Sequence, residues 1–414
     1  MKDSWDVVVI GGGPAGMMAA GTAAARGLRV LLLEKNPKLG KKLRITGGGR
    51  CNITNATFDN QTLLPRYGDA KQYLFSPFSE YGVKETIEFF NRGGLETKVE
   101  AENRVFPASE KAEDVALFME EFIQKHKVTV YSDTTVTDIK ANGNKIEYLK
   151  TNQGDIYAKS FILATGGTSH PETGSTGDGY NWLIALGLDV IIPTPSLVPI
   201  TTKETWVSDI SGLTFSDTKI NVYLDGVLLK KSVGKILFTH TGLSGPGILN
   251  LSHLIGDSLP NGIVTIKINV SNTQDEEELS NQLRDFLITH ANKKIKNILS
   301  VLTPASLVPI ILQKLQMDGE RQCNSVTRNE RHLIISTLRG LELTASGLLG
   351  PDKAIIASGG IALQEIDFNT MSTKRYPNLY VVGDMLNINR PSGGYSLQLC
   401  WTTGYVAGKN AEAN

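Results

Sequence analysis

Hydrophobic positions in this chain gather into short unbroken runs that end at glycine. Asp6 to Ile10 ("DVVVI") is rich in β-branched residues, the pattern of a strand covered on both faces in a parallel sheet. "GGGPAGMMAAGTAAARG" then predicts a turn and a small-residue helix ending at Gly27, and "LRVLLLEK" at 28–35 predicts the next buried strand. Together they make a βαβ unit. From about 72 to 125 the period becomes that of amphipathic helices, as in "VKETIEFFNRGG" and "AEDVALFMEEFIQKH". Short alternating strands are predicted over 128–162, with "ANGN" at 141–144 as a hairpin turn, and "KSFILATGG" at 159–167 repeats the strand-then-glycine pattern.

The pattern changes at "IIPTPSLVPI", where Pro193, Pro195 and Pro199 exclude helix and mark a domain crossing. Residues 200–268 read as short strands and 275–340 as charged helices, after which "AIIASGG" and "NLYVVGDML" restore the buried strands that end in glycine. The expected organisation is a discontinuous α/β domain over 1–192 and 346–414. Inserted into it are a β-barrel-like domain over 193–270 and 333–345 and a nested helical subdomain over 271–332.

Composition narrows the function classes. The 414 residues suit two or three domains, and 41% hydrophobic with 20% charged residues is the balance of a soluble globular protein. The 42 basic and 42 acidic side chains cancel, so neither nucleic acid nor an anionic membrane is an expected partner. Cys51, Cys323 and Cys400 form no CxxC pair, which fits a reducing cytoplasm and predicts no metal site. The N-terminus runs straight into a strand with no signal-peptide pattern, and no apolar run approaches the roughly 20 residues that span a bilayer.

Gly11, Gly13 and Gly16 form GxGxxG between a strand and a helix, and Glu34 ends the following strand, where it can accept from a ribose hydroxyl. Gly11 permits the tight turn, Gly13 lets a pyrophosphate approach the backbone, and Gly16 allows close helix–strand packing. The diphosphate then lies at the positive end of the helix dipole. The chain leaves regular βα units after Glu34 and holds no second GxGxxG, which favours FAD over a nicotinamide cofactor as the bound dinucleotide. Next comes "RITGGGRCNITN" at 44–55, a bare backbone followed at once by Arg50, Cys51 and Asn52. It suggests close approach to a bulky anion, with Lys42 and Arg44 flanking the loop.

"KLRITGGGRCNITN", "GSTGDGY", "PSLVPI", "FTHTGLSGPGILNLS" and "LYVVGDML" with "SGGYSLQ" occur in an order that resembles the BaiN/YhiN-like flavoproteins, which include aminoacetone oxidases. The resemblance covers nearly the whole chain and extends more broadly to the FAD domains of succinate dehydrogenase and fumarate reductase flavoproteins. It implies that Gly11, Gly13, Pro14, Ala15 and Gly16 cradle the pyrophosphate while Glu34 and Lys35 meet the adenosine ribose. Gly49, Arg50, Cys51 and Asn52 would line the path toward the flavin, and Val136 would meet adenine through its backbone. Ala164, Thr165 and Gly166 would close over the adenosine half beside the Asp178 turn, with Gly383 and Asp384 reaching the ribityl chain. Gly393, Gly394, Tyr395, Ser396 and Leu397 would start the last helix at the pyrimidine end of the ring, where a helix N-terminus stabilises negative charge and raises the reduction potential. Asp384, Asn387 and Ser396 stand where relatives commonly carry Glu, Asp and Asn.

Cys51 has no neighbouring cysteine in sequence to resolve a disulfide, so it reads as packing or flavin contact rather than redox chemistry. His240, at a strand end before a glycine turn, is either a substrate-facing acid–base group or a capping histidine. The sequence thus predicts an α/β fold with a doubly wound, Rossmann-like FAD-binding domain, and an FAD-dependent oxidoreductase. Hydride would pass between a small organic substrate and flavin N5, the substrate lying between the FAD domain and the insert, with oxygen or transiently bound NAD(P)H serving the other half-reaction. The alternatives are an FAD-dependent protein that binds or modifies RNA, which the balanced charge opposes, and a flavoprotein with a non-redox role.

Overall fold

A computed structural model describes residues 5–350 and 356–412. The chain forms two compact units, Met1–Ser196 with Pro351–Asn414, and Leu197–Gly350.

The first unit is built on a mixed sheet of nine strands. Its centre is strand Trp5–Ile10 (β1), parallel on one side to Val30–Leu33 (β2) and on the other to Gly154–Leu163, with Val9 opposite both Leu32 and Ile162. Strand Leu379–Val381 extends the parallel core, while hairpin Val136–Asn142/Lys145–Thr151 and the short strands 366–367 and 372–373 add antiparallel edges. Val7, Val8 and Val9 are fully buried, as a continuous β-branched run requires. Helix Pro14–Ala25 (α1) is rich in Ala and Gly because the last helix, Tyr395–Asn410, lies against its backbone. A Cβ on Gly404 would come within 2.4 Å of Ala15 O, and one on Gly408 within 2.4 Å of Ala19 O. A small sheet of 54–55, 104–107 and 97–99 carries the end of the "CNITN" segment.

The second unit is a closed six-stranded barrel with helices, and they share one core. Ile220, Val222 and Ile266 of the barrel are buried in the same cluster as Leu279, Leu283, Ile298 and Ile334 of the helices. The helical segment expected to be a separate nested subdomain therefore has no core of its own. The boundaries also differ from those predicted. Strand Val190–Ser196 pairs with Ile356–Ile361 of the first unit, so much of the proline-rich segment belongs there. Its pairing is irregular between Ile191 and Thr194, around Pro193, where a missing N–H breaks the ladder. Strand Leu341–Leu348 remains in the barrel.

Among the described residues no helix is long and apolar enough to cross a membrane, and no group of three or more His, Cys, Asp or Glu could hold a metal ion.

Candidate functional site

The three glycines of the β1–α1 motif lack a side chain for two different reasons. Gly11 has φ +105°, and a Cβ there would meet Ala164 O at 2.5 Å; a Cβ on Gly16 would meet Gly11 O at 1.9 Å. Both are packed against backbone. Gly13 has φ −81° and ψ −176°, open to any residue, and nothing lies within 4 Å of its Cβ position. It faces a cavity, together with Pro14 and Ala15 at the N-terminus of α1, and no side chain caps that terminus. A bare backbone opening onto an uncapped helix N-terminus fits a diphosphate.

The adjoining wall is Glu34 to Asn36 at the end of β2. Glu34, 8% exposed, accepts from Gly12 N (2.8 Å) through Oε2 and from Asn36 N (2.8 Å) and Nδ2 (2.7 Å) through Oε1. Its carboxylate thus ties the glycine turn to the second strand. Lys35 Nζ reaches Thr176 Oγ1 (2.6 Å) and Asp178 Oδ2 (2.9 Å). Burial works against ionisation of Asp178, but Thr176 and Lys35 outweigh it and lower the carboxyl from its ordinary range. Val136 closes the cavity from the hairpin, and Ala164, Thr165 and Gly166 from the turn after strand 154–163.

At the other end of the lining stand Lys42, Asp384, Ser396 and Leu397. Lys42 Nζ donates to Ser169 Oγ (2.5 Å) and lies 3.5 Å from Asp384 Oδ2. Arg390, unremarked in the sequence, pairs with Asp384 and donates to Ser396 Oγ (3.1 Å). Burial opposes the charge on Asp384, yet Arg390 and then Lys42 prevail and lower its carboxyl.

Fifteen of the predicted positions therefore meet in one cavity: Gly11, Gly13, Pro14, Ala15, Glu34, Lys35, Lys42, Val136, Ala164, Thr165, Gly166, Asp178, Asp384, Ser396 and Leu397. Gly16 and Gly383 pack behind it; a Cβ on Gly383 would meet Ala15 Cβ at 3.0 Å and Cys400 Sγ at 3.4 Å. The lining also includes Asn36, Lys41, Thr135, Thr173 to Gly177, Trp182 and Cys400. Trp182 and Cys400 were legible as partners of Asp178 and Ser396 four residues earlier on the same helix.

The 44–55 loop is placed differently, with only Thr46 of it in the cavity lining. Gly47, Gly48 and Gly49 have φ of 57°, 67° and 86°, and the Cβ positions of Gly48 and Gly49 are open, so backbone conformation accounts for these two glycines. Arg50 turns to Glu100 (2.6 Å) and Glu110 (3.2 Å) and lies over the Phe106 ring, so its charge already has partners away from the cavity. Arg44 likewise pairs with Glu113 and, at 2.6 Å, with Glu120. Arg50→Ala should leave the ratio of bound FAD to protein at the wild-type value, measured from the absorbance of the purified protein; a colourless variant would return Arg50 to the site.

Cys51 is fully buried, and burial pushes its thiol up to about 12 against a hydrogen bond from Thr46, so it stays protonated near neutral pH. Asn52 to Asn55 brace the last helix. With the Asn52 amide turned to satisfy both ends, it donates to Thr54 O (2.9 Å) and Val105 O (3.2 Å) and accepts from Gly394 N (3.0 Å). Asn55 Nδ2 donates to Gly393 O (3.1 Å), Trp401 Nε1 to Ile53 O (3.0 Å), and Tyr67 OH to Tyr395 O (3.0 Å). Gly49, Cys51, Asn52, Gly393, Gly394 and Tyr395 thus lie outside the lining, and Cys51 N donates to the carbonyl oxygen of Thr46, which is part of it (3.0 Å). His240 is exposed in the second unit.

The HI0933-like protein Rossmann domain matches residues 5–410. The chain belongs to that family. Its fold is the Rossmann-like FAD-binding one, and the family is one of FAD-dependent oxidoreductases, the BaiN-like group that the motifs resemble. Over 410 residues the chain is 28% identical to the 3-dehydro-bile acid delta(4,6)-reductase of Clostridium scindens, covering 97% of this chain and 98% of that one. It is 26% identical over 409 residues to the ribosomal RNA dihydrouridine synthase of Escherichia coli, covering 99% and 98%. Among solved structures, the 3-ketosteroid delta1-dehydrogenase of Sterolibacterium denitrificans is similar in fold, with a TM-score of 0.56, 12% identity, and 99% of each chain covered.

Proposed function

We propose that this HI0933-like protein binds FAD in the cavity of its first unit and reduces a carbon–carbon double bond conjugated to a carbonyl, drawing electrons from NAD(P)H. The observation that carries FAD binding is the open Cβ position of Gly13 at the uncapped N-terminus of α1. Glu34, Lys35, Lys42 and Asp384 supply both signs of charge around it, as a cofactor with hydroxyls and a diphosphate requires. Bound flavin would supply hydride transfer at N5.

The names of two relatives support the direction of the reaction. A delta(4,6)-reductase of a 3-dehydro-bile acid and a dihydrouridine synthase share one step, the addition of two hydrogens across a double bond conjugated to a carbonyl. In the proposed reaction NAD(P)H would be oxidised to NAD(P)+ while the substrate gains the equivalent of that hydride and a proton from solvent; Gly13, Glu34, Lys35, Lys42 and Asp384 would hold the cofactor that supplies the transfer. A small conjugated ketone is the first substrate class. A uracil ring in RNA is the second, favoured by the two relatives named as ribosomal RNA dihydrouridine synthases and opposed by a chain with equal numbers of acidic and basic residues.

Anaerobic stopped-flow of the FAD-loaded protein tests both. NADH or NADPH should bleach the flavin, and a conjugated ketosteroid should restore its colour faster than air does. Reoxidation by a uridine-containing ribosomal RNA fragment and by no ketone would select the second class. Bleaching by an amine alone, with peroxide formed on aeration, would overturn the reductase reading in favour of an oxidase.

A further inference from the structure

Arg390 is 5% exposed, yet it is a guanidinium one residue deep behind a cavity wall. Its Nη2 pairs with Asp384 Oδ1, its Nη1 donates to Ile388 O (2.6 Å), and its Nε donates to Ser396 Oγ (3.1 Å). Asp384 and Ser396 line the cavity. They come from two separate places, the turn after strand 379–381 and the first turn of the last helix, and one side chain grips both. A buried cation of this kind is costly unless every donor is engaged, and removing it leaves a buried carboxylate short of a partner.

We propose that Arg390 is a positioning residue for the cofactor, holding the Asp384 carboxylate charged and oriented toward the cavity and fixing Ser396 beside it. The inference rests on FAD being the occupant of that cavity. With one Asp384 oxygen engaged by Arg390 and the other 3.5 Å from Lys42 Nζ, the carboxylate has a single orientation and can act as an acceptor for cofactor hydroxyls.

The groups facing Asp384 are Arg390, Lys42, Tyr180, whose hydroxyl donates to Asp384 O (2.9 Å), and Cys400. Burial raises Tyr180, and burial with the nearby carboxylate pushes Cys400 up to about 12, so both stay neutral while the two cations hold Asp384 below its ordinary range. Without Arg390 the effect of burial faces Lys42 alone. The carboxyl then rises, and affinity that depends on its charge is present at high pH and lost as pH falls.

FAD dissociation constants of reconstituted apoprotein, read by flavin fluorescence at about pH 8 and about pH 5.5, test this for wild type, Arg390→Met and Arg390→Lys. Wild type should be flat with pH. Arg390→Met should bind about tenfold more weakly at the higher pH and lose further affinity at the lower one, while Arg390→Lys should recover most of the loss and remain flat. If Arg390→Met does not fold, Arg390→Gln, which keeps donors without charge, should show the same pH-dependent loss. Wild-type affinity in the neutral variant, or a pH-independent loss that Lys does not rescue, would overturn the positioning role. Failure of wild type itself to take up FAD would overturn the cofactor reading and this inference with it.

Discussion

Gly13→Asp should abolish FAD binding without harming the fold. Its backbone torsions suit any residue, its Cβ position is open, and it is the N-cap of α1 with no side-chain cap at present. Aspartate is a favoured N-cap residue, so the apoprotein should unfold within roughly 1 kcal/mol of wild type, on the stable side if it moves. The same carboxylate would lie where the diphosphate approaches. Like charges brought together at a binding site cost several kcal/mol, and about 4 kcal/mol is roughly a thousandfold in affinity. Gly16→Ala should behave in the opposite way. Its Cβ would be 1.9 Å from Gly11 O, a backbone atom that can move only with the turn, so stability should fall by about 3 kcal/mol or more. Urea unfolding of both apoproteins, with FAD titration of each, separates the two roles. A Gly13→Asp protein that stays yellow would show that the cavity does not hold a diphosphate at this turn.

The contrast marks what was legible in the chain. The spacing of Gly11, Gly13 and Gly16 between two buried apolar runs carries its own three-dimensional meaning, because strand, turn and helix are contiguous and local sterics decide them. The same holds for Lys35 and Glu34 at the end of β2. Arg50 was not legible in the same way. Its partners Glu100 and Glu110 are remote in sequence, and a cation beside three glycines reads as an anion site until those carboxylates are in place. Arg390 was hidden for the converse reason: a charged residue in "NRPSGG" gives no sign of burial until Asp384, Ile388 and Ser396 surround it. The helices of 276–339 carry their own amphipathic pattern, but only packing reveals that their apolar faces complete the barrel core rather than a core of their own.

Gly394→Ala should damage stability and cofactor binding together. Gly394 caps the last helix with φ +100°, and a Cβ there would lie 2.3 Å from both the carbonyl carbon and oxygen of Thr54. Strain at positive φ and a clash with backbone combine to a cost of roughly 2–4 kcal/mol. Relief requires the helix to move away from the 52–55 segment, breaking the contacts of Asn52 with Gly394 and of Asn55 with Gly393. It would also strain a buried chain of hydrogen bonds, in which Thr54 Oγ1 donates to Gln398 Oε1 (2.5 Å) and Gln398 Nε2 donates to Thr86 (2.9 Å) and Thr402 (3.0 Å). Ser396, Leu397 and Cys400 would leave the cavity wall with the helix, so FAD affinity should drop as well. Gly393→Ala is the control. It shares a positive φ of 118°, but its Cβ would meet only the Tyr395 ring, at 3.4 Å, so it should cost about 1–2 kcal/mol and leave FAD binding close to wild type. Equal stability and equal FAD affinity in the two variants would mean that the last helix is not held by its contact with Thr54. The "GGGRCNITN" loop would then lose the bracing role that its buried end has in this fold.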